Sequence, residues 1–201
     1  MVKYIVGIIA LLVIGGGYYV WSNMGEEAAP VTSTPQIPTQ VATTTYATST
    51  YSITYPQNFT KDENYSYMGF EKKPIAGVKF QIPLTMATGT NLSSDTYLSI
   101  ESLPRAKNCT GDIYIPSNVK AAQLTEGTMV YSVATSSEAG AGNVYEEYVY
   151  ALSGSQPCVA VRYFIHSTSV SNYDPGTIRE FDRSALMVAF DEIRRTLTLT
   201  R

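Results

Sequence analysis

The sequence predicts an α+β fold. A largely antiparallel sheet carries a long C-terminal helix packed on one face, and a single N-terminal transmembrane helix and a disordered linker precede it. Three observations predict this. Residues 143–167 (NVYEEYVYALSGSQPCVAVRYFIHS) hold two alternating stretches joined by a Gly- and Pro-containing turn, the pattern of a β-hairpin. Leu186, Ala189, Phe190 and Ile193 fall at helical spacing near the C-terminus. Residues 4–21 (YIVGIIALLVIGGGYYVW) run without a charge, and such a run just meets the roughly 17–25 residues that a bilayer span requires.

From these boundaries the chain divides into a transmembrane anchor over residues 1–23, a Thr/Pro-rich linker over residues 24–48 and an extracytoplasmic α+β domain over residues 49–201. Lys3 precedes the apolar run and Glu26 and Glu27 follow it. The positive-inside rule then sets the N-terminus in the cytoplasm and the domain outside, with Tyr18, Tyr19 and Trp21 at the outer interface. A cleaved signal peptide is the competing reading, although no good cleavage site follows the run. Both readings place the domain beyond the cytoplasm. The expected location is the cell membrane, single-pass. The linker is dominated by Pro, Thr, Ser and Ala without an apolar period, and such a segment cannot bury enough surface to offset its ordering entropy.

Within the domain, Tyr51, Ile53 and Tyr55 alternate in a first strand that Pro56 stops. Val78, Phe80 and Ile82 mark a second, and residues 96–103 a third with Leu98 and Ile100 on one face. Residues 117–125 (SNVKAAQLT) fit a short helix capped by Ser117. Met129, Tyr131 and Val133 alternate in a further strand, and residues 136–142 (SSEAGAG) read as a flexible hairpin loop. Thr177 and Glu180 have capping-box spacing, and Asp182 is a second possible cap for the C-terminal helix. Residues 196–200 (TLTLT) form a last strand, with Leu197 and Leu199 expected to face the core.

In the central hairpin Val159, Val161, Tyr163 and Ile165 make one apolar face. A turn centred on Gly154 and Ser155 sets Tyr150 opposite Val159, Tyr148 opposite Val161, Glu147 opposite Arg162 and Asn143 opposite His166. A one-residue slip would undo this pairing. The plain reading of Glu147 and Arg162 is a cross-strand ion pair on a half-solvated face, worth about 0.2–1 kcal/mol. The sharper reading is a polar binding site made of Glu147, Arg162 and His166.

A net charge of −3 and no Lys/Arg cluster argue against a nucleic-acid partner. Cys109 and Cys158 are the only cysteines, and outside the cytoplasm such a pair is expected to form a disulfide. Two cysteines with one histidine make no zinc site, and a calcium loop at residues 58–64 (NFTKDEN) lacks regular ligand spacing. No metal and no cofactor is expected. No Gly-x-Ser-x-Gly, His-Glu-x-x-His or P-loop motif occurs. Among the carboxylates, Glu101, Asp112, Glu146 and Glu147 are available for acid–base work, but their spacing selects no pair. Asn58, Asn64, Asn91 and Asn108 each begin an Asn-x-Ser/Thr triplet.

The stretches YSITYP (residues 51–56) and SALMVAFDEIRRTLTL (residues 184–199) resemble the two ends of PsbP/Mog1-like α/β/α sandwich domains. The anchor-tether-domain layout is also similar to that of many membrane-anchored bacterial proteins. The resemblance implies a non-catalytic accessory or binding role, and it carries over no functional residue, because no matching motif is present. The expectation is therefore a membrane-tethered extracytoplasmic domain that binds an envelope protein or cell-wall component without catalysis. The alternative is a cell-envelope hydrolase using carboxylates or His166.

Overall fold

A computed structural model describes residues 41–200. The anchor expected over residues 1–23, and the linker up to residue 40, lie outside the described residues. Among the described residues no helix is long and apolar enough to cross a membrane.

Among the described residues eleven strands form two antiparallel sheets. The strands are β1 (Thr43–Ala47), β2 (Tyr51–Pro56), β3 (Thr60–Asp62), β4 (Ser66–Tyr67), β5 (Ile75–Gln81), β6 (Tyr97–Leu103), β7 (Ala122–Glu126), β8 (Met129–Gly140), β9 (Asn143–Leu152), β10 (Cys158–Thr168) and β11 (Thr198–Leu199). A three-stranded sheet has the order β1-β2-β11, and an eight-stranded sheet the order β3-β5-β6-β10-β9-β8-β7, with β4 also paired to β5. A short helix, α1 (Leu84–Ala87), and a three-turn helix, α2 (Arg183–Arg194), complete the regular structure with two 3-10 turns at Gly111–Tyr114 and Val170–Asn172.

The expected α+β layout with a long C-terminal helix is corrected by this architecture, which is mostly antiparallel sheet with one short C-terminal helix. Several segments read otherwise from sequence are strand, β3 and β4 within the loop expected over residues 57–74 among them. Thr43–Ala47, assigned to the disordered linker, pairs along β2 from Thr43↔Pro56 to Ala47↔Ser52. Ala122–Glu126, read as a short helix, pairs with β8. The supposed flexible loop at residues 136–142 continues β8 to Gly140 and turns on Ala141 and Gly142, both with positive φ, the geometry of a tight two-residue hairpin turn.

Helix α2 is confined to 12 residues, about 18 Å, because the chain before it is tied elsewhere. Asn91 N–H donates to the Arg179 carbonyl at 3.0 Å, and Phe181 N–H donates to Asn91 Oδ1 at 2.9 Å. Residues 179–181 are thereby held against the loop after α1 and cannot join a helical turn. Asp182, not Thr177, is the cap, with its carboxylate accepting from Ala185 N–H at 2.9 Å.

Two cores lie on opposite faces of the large sheet, because side chains alternate along each strand. On one face Val159, Val161, Tyr163 and Ile165 are buried with Tyr51 and Ile53 of β2 and with Leu186, Phe190 and Ile193 of α2. The small sheet and α2 cover that face. Leu197 is buried with them, whereas Leu199 is 37% exposed, against expectation. On the other face Cys158, Ala160, Val149 and Ala134 are buried with Tyr67 of β4 and with Tyr114 and Ile115, which the loop around the first 3-10 turn supplies. Gly111 allows the loop carrying Tyr114 to lie flat on the sheet: a Cβ there would come within 2.7 Å of Ala134 N and 2.8 Å of the Ser132 carbonyl. A disulfide joins Cys109 to Cys158 and fastens the same loop. Tyr114 adds a hydrogen bond from its hydroxyl to the Cys158 carbonyl at 2.8 Å.

Candidate functional site

The hairpin register differs from expectation by two residues. Val161 lies opposite Tyr150 and Phe164 opposite Glu147, because the connection centres on Ser155 and Gln156 rather than on Gly154 and Ser155. An even slip keeps every side chain on its predicted face and changes only its neighbours. Glu147 therefore sits diagonal to Arg162 instead of across from it, a spacing that long side chains still span.

Arg162 lies between Ser99 on β6 and Val149 on β9. Its Nε and Nη2 donate to the two oxygens of Glu101, each at 2.8 Å, and Nη1 donates to Glu147 Oε2 at 2.6 Å. Nη2 also donates to the Tyr114 carbonyl at 2.8 Å. The ring of Tyr67 lies 3.5 Å from the guanidinium carbon, within cation–π range. Tyr67 in turn donates its hydroxyl to Glu147 Oε1 at 2.9 Å, and Ser99 donates to Glu101 Oε1 at 2.8 Å.

The arginine and Glu101 side chains are 0% exposed and Glu147 is 13% exposed. The expected half-solvated ion pair is thus corrected: this face is covered by β4, which bears Tyr67, and by the loop bearing Tyr114, and the arginine is wholly enclosed. Burial pushes the Glu147 carboxyl above the usual carboxylate range, against the opposing pull of Arg162. Burial also raises the Tyr65, Tyr67 and Tyr97 hydroxyls, so they stay neutral donors.

Outward from this network the sheet face holds a cleft of about 520 Å³ lined by Tyr65, Tyr67, Tyr97, Tyr145 and Phe164, with the carboxylates Glu138 and Glu147 and three serines among its polar groups. The rings are ordered across three strands. Tyr97 and Phe164, directly paired on β6 and β10, stack at 4.9 Å, and Tyr145 of β9 lies 6.1 Å from Phe164. At the rim Met68 is 73% exposed.

His166, the third residue of the sequence-predicted site, stands apart from the arginine network. Phe164 separates it from Arg162 on the same face. Its Nδ1 lies 2.8 Å from Asp95 and its Nε2 2.9 Å from Asn143 Oδ1, and Tyr145 stacks on the ring at 4.4 Å. The structure brings Glu147 and Arg162 together, adds Glu101 and Tyr67, and leaves His166 bracing the cleft wall behind Tyr145. Sequence reasoning missed the aromatic lining. The recoverable trace was the alternation of Tyr145 with Glu147 and of Arg162 with Phe164, which sets rings and charges on one face. Among the described residues no group of three or more His, Cys, Asp or Glu side chains is placed to hold a metal ion.

No family model and no curated protein matches this chain. Among solved structures the chain is similar to a crystal structure from Bacteroides thetaiotaomicron VPI-5482, with 13% identity and a TM-score of 0.41 over 75% of this chain. The chain spans 45% of that protein's length.

Proposed function

We propose that the chain is a non-catalytic binding domain that acts outside the cytoplasm at the cell membrane and takes an envelope component of small molecular size in the aromatic cleft. The observation that carries this reading is the way the cleft is built before any ligand arrives. Glu147 is fixed by two donors, Arg162 and Tyr67, and the ring row Tyr97, Phe164 and Tyr145 is set by strand pairing. A cleft of about 520 Å³ falls within the roughly 300–1,000 Å³ of small-molecule sites. The disulfide supports a location outside the cytoplasm, and the charge-free run over residues 4–21 supports attachment to the membrane.

A hydrolase has less support. Both oxygens of Glu147 are engaged by internal donors, and the ring nitrogens of His166 face Asp95 and Asn143 rather than a nucleophile.

The test is to purify the full chain from its cells in a non-ionic detergent, extract it and identify bound compounds by mass spectrometry. A compound carried by the wild type and lost from Tyr145→Leu and Phe164→Leu is the expected result. A compound retained by both variants, or steady turnover of any compound found, would sink the reading.

A further inference from the structure

We infer that the ligand of this cleft is an organic cation carrying an ammonium group. The inference rests on the cleft being the binding site and adds its chemistry. Two carboxylates, Glu138 and Glu147, line the cleft, and no Lys or Arg does. Among the described residues the one cation in contact with Glu147 is Arg162, which also serves Glu101. Two buried carboxylates thus share one guanidinium, and the surplus negative charge faces the cleft.

The rings point the same way. Aromatic faces are electron-rich and attract cations within about 6 Å of the centroid. The chain already uses this chemistry on the same residues: Arg162 packs on Tyr67, and Lys79 Nζ lies 5.9 and 5.7 Å from the Tyr65 and Tyr97 centroids. Lys79 approaches from the β5 side, is 3.9 Å from Asp62 and is not part of the lining. An anion would meet two carboxylates here with no cation to receive it. A neutral apolar ligand would leave the surplus charge that Arg162 does not offset uncompensated, and would desolvate Glu147 further.

The experiment is calorimetric titration of the detergent-solubilised full chain with choline and with 3,3-dimethylbutan-1-ol, its neutral isostere. Arms with n-butylammonium and with a doubly capped lysine separate a small free amine from a peptide side chain. Choline or butylammonium should bind about tenfold or more tightly than the neutral isostere, as expected for a desolvated cation on aromatic faces. Glu147→Gln should remove most of that preference. Glu138→Gln should reduce it, and this exposed side chain is a safe substitution if Glu147→Gln fails to fold. Binding by the capped lysine alone would overturn the free-amine form of the inference and assign the cleft to a basic peptide. Equal binding of choline and its isostere would overturn the cation inference and keep the cleft as an apolar site. No binding of any probe would overturn it too, and the cleft reading would then stand or fall on the compound that copurifies from cells.

Discussion

Among the described residues two arginines are almost completely buried, one on each face of the large sheet, and they are held differently. Arg162 sits mid-strand with two carboxylates that are 0% and 13% exposed. Arg194 ends α2, is 1% exposed and meets Glu126 at 2.6 Å and Asp191 at 3.0 Å, which are 27% and 25% exposed. Tyr163 accepts from Arg194 Nε at 2.8 Å, and the rings of Tyr150 and Tyr131 lie 4.3 and 4.9 Å from its guanidinium. Arg195 also reaches Glu126 at 3.3 Å, so around Arg194 cations and carboxylates balance two to two. Around Arg162 the carboxylates are in excess. The first cluster is a fastener that ties the helix end to the β7–β8 hairpin. The second is a fastener that leaves charge over, and it is the one beneath the cleft.

The comparison breaks most sharply on removal of the cation. Arg162→Met leaves two carboxylates buried together, and urea unfolding should show a loss of about 3–5 kcal/mol. Arg194→Met leaves partly wetted carboxylates and should lose about 1–3 kcal/mol. Equal losses would mean that enclosure does not distinguish the clusters. Replacing both Cys109 and Cys158 by Ser opens a loop of sequence separation 49 and should cost about 2–4 kcal/mol. Hydrogen exchange should then quicken in the loop over Arg162 and leave α2 unchanged; uniform quickening would contradict the two-sided description. Gly111→Ala pushes a Cβ against β8 backbone and should lose about 1–3 kcal/mol, with the change again confined to that face.

The smallest effect is one of sign. Hydrogen bonds from Arg194 hold Glu126 below the usual carboxylate range. Its contribution is present above the ordinary value of about 4.5 and is lost as pH falls through its lowered value. Glu147 is raised by burial, so its contribution is present at low pH and is lost as pH rises through its raised value. On acidification the wild type should lose ground to Glu126→Gln and gain ground on Glu147→Gln. Unfolding free energies measured across the acid range check this, and parallel slopes for the two variants would refute it.

Much of the sheet was legible. The alternation at Tyr51, Ile53 and Tyr55, at Val78, Phe80 and Ile82, and at Val159 to Ile165 marked real strands with the right faces buried. The pairing of Cys109 with Cys158 followed from their being the only two. What failed was local weakness overridden by partners. The threonine-rich Thr43–Ala47 has no apolar period, yet β2 offers it an edge to pair with. The helix start at Thr177 fitted a capping rule, yet Asn91 claims the backbone at Phe181. The site was legible in part: Glu147 and Arg162 were named together because a shared face depends only on odd or even spacing.

The sequence by itself determined which side chains share a face and which cysteines pair, since strand periodicity and composition are local or nearly so. Only the tertiary structure decided that the polar face would be covered, that Glu101 would join Glu147 on one guanidinium, and that Tyr65, Tyr67, Tyr97, Tyr145 and Phe164 would converge on one cleft. Those outcomes depend on β6 and β9 flanking β10 and on β4 and the loop bearing Tyr114 lying over them. Such contacts join residues up to 95 positions apart, as between Tyr67 and Arg162, and no local pattern encodes them.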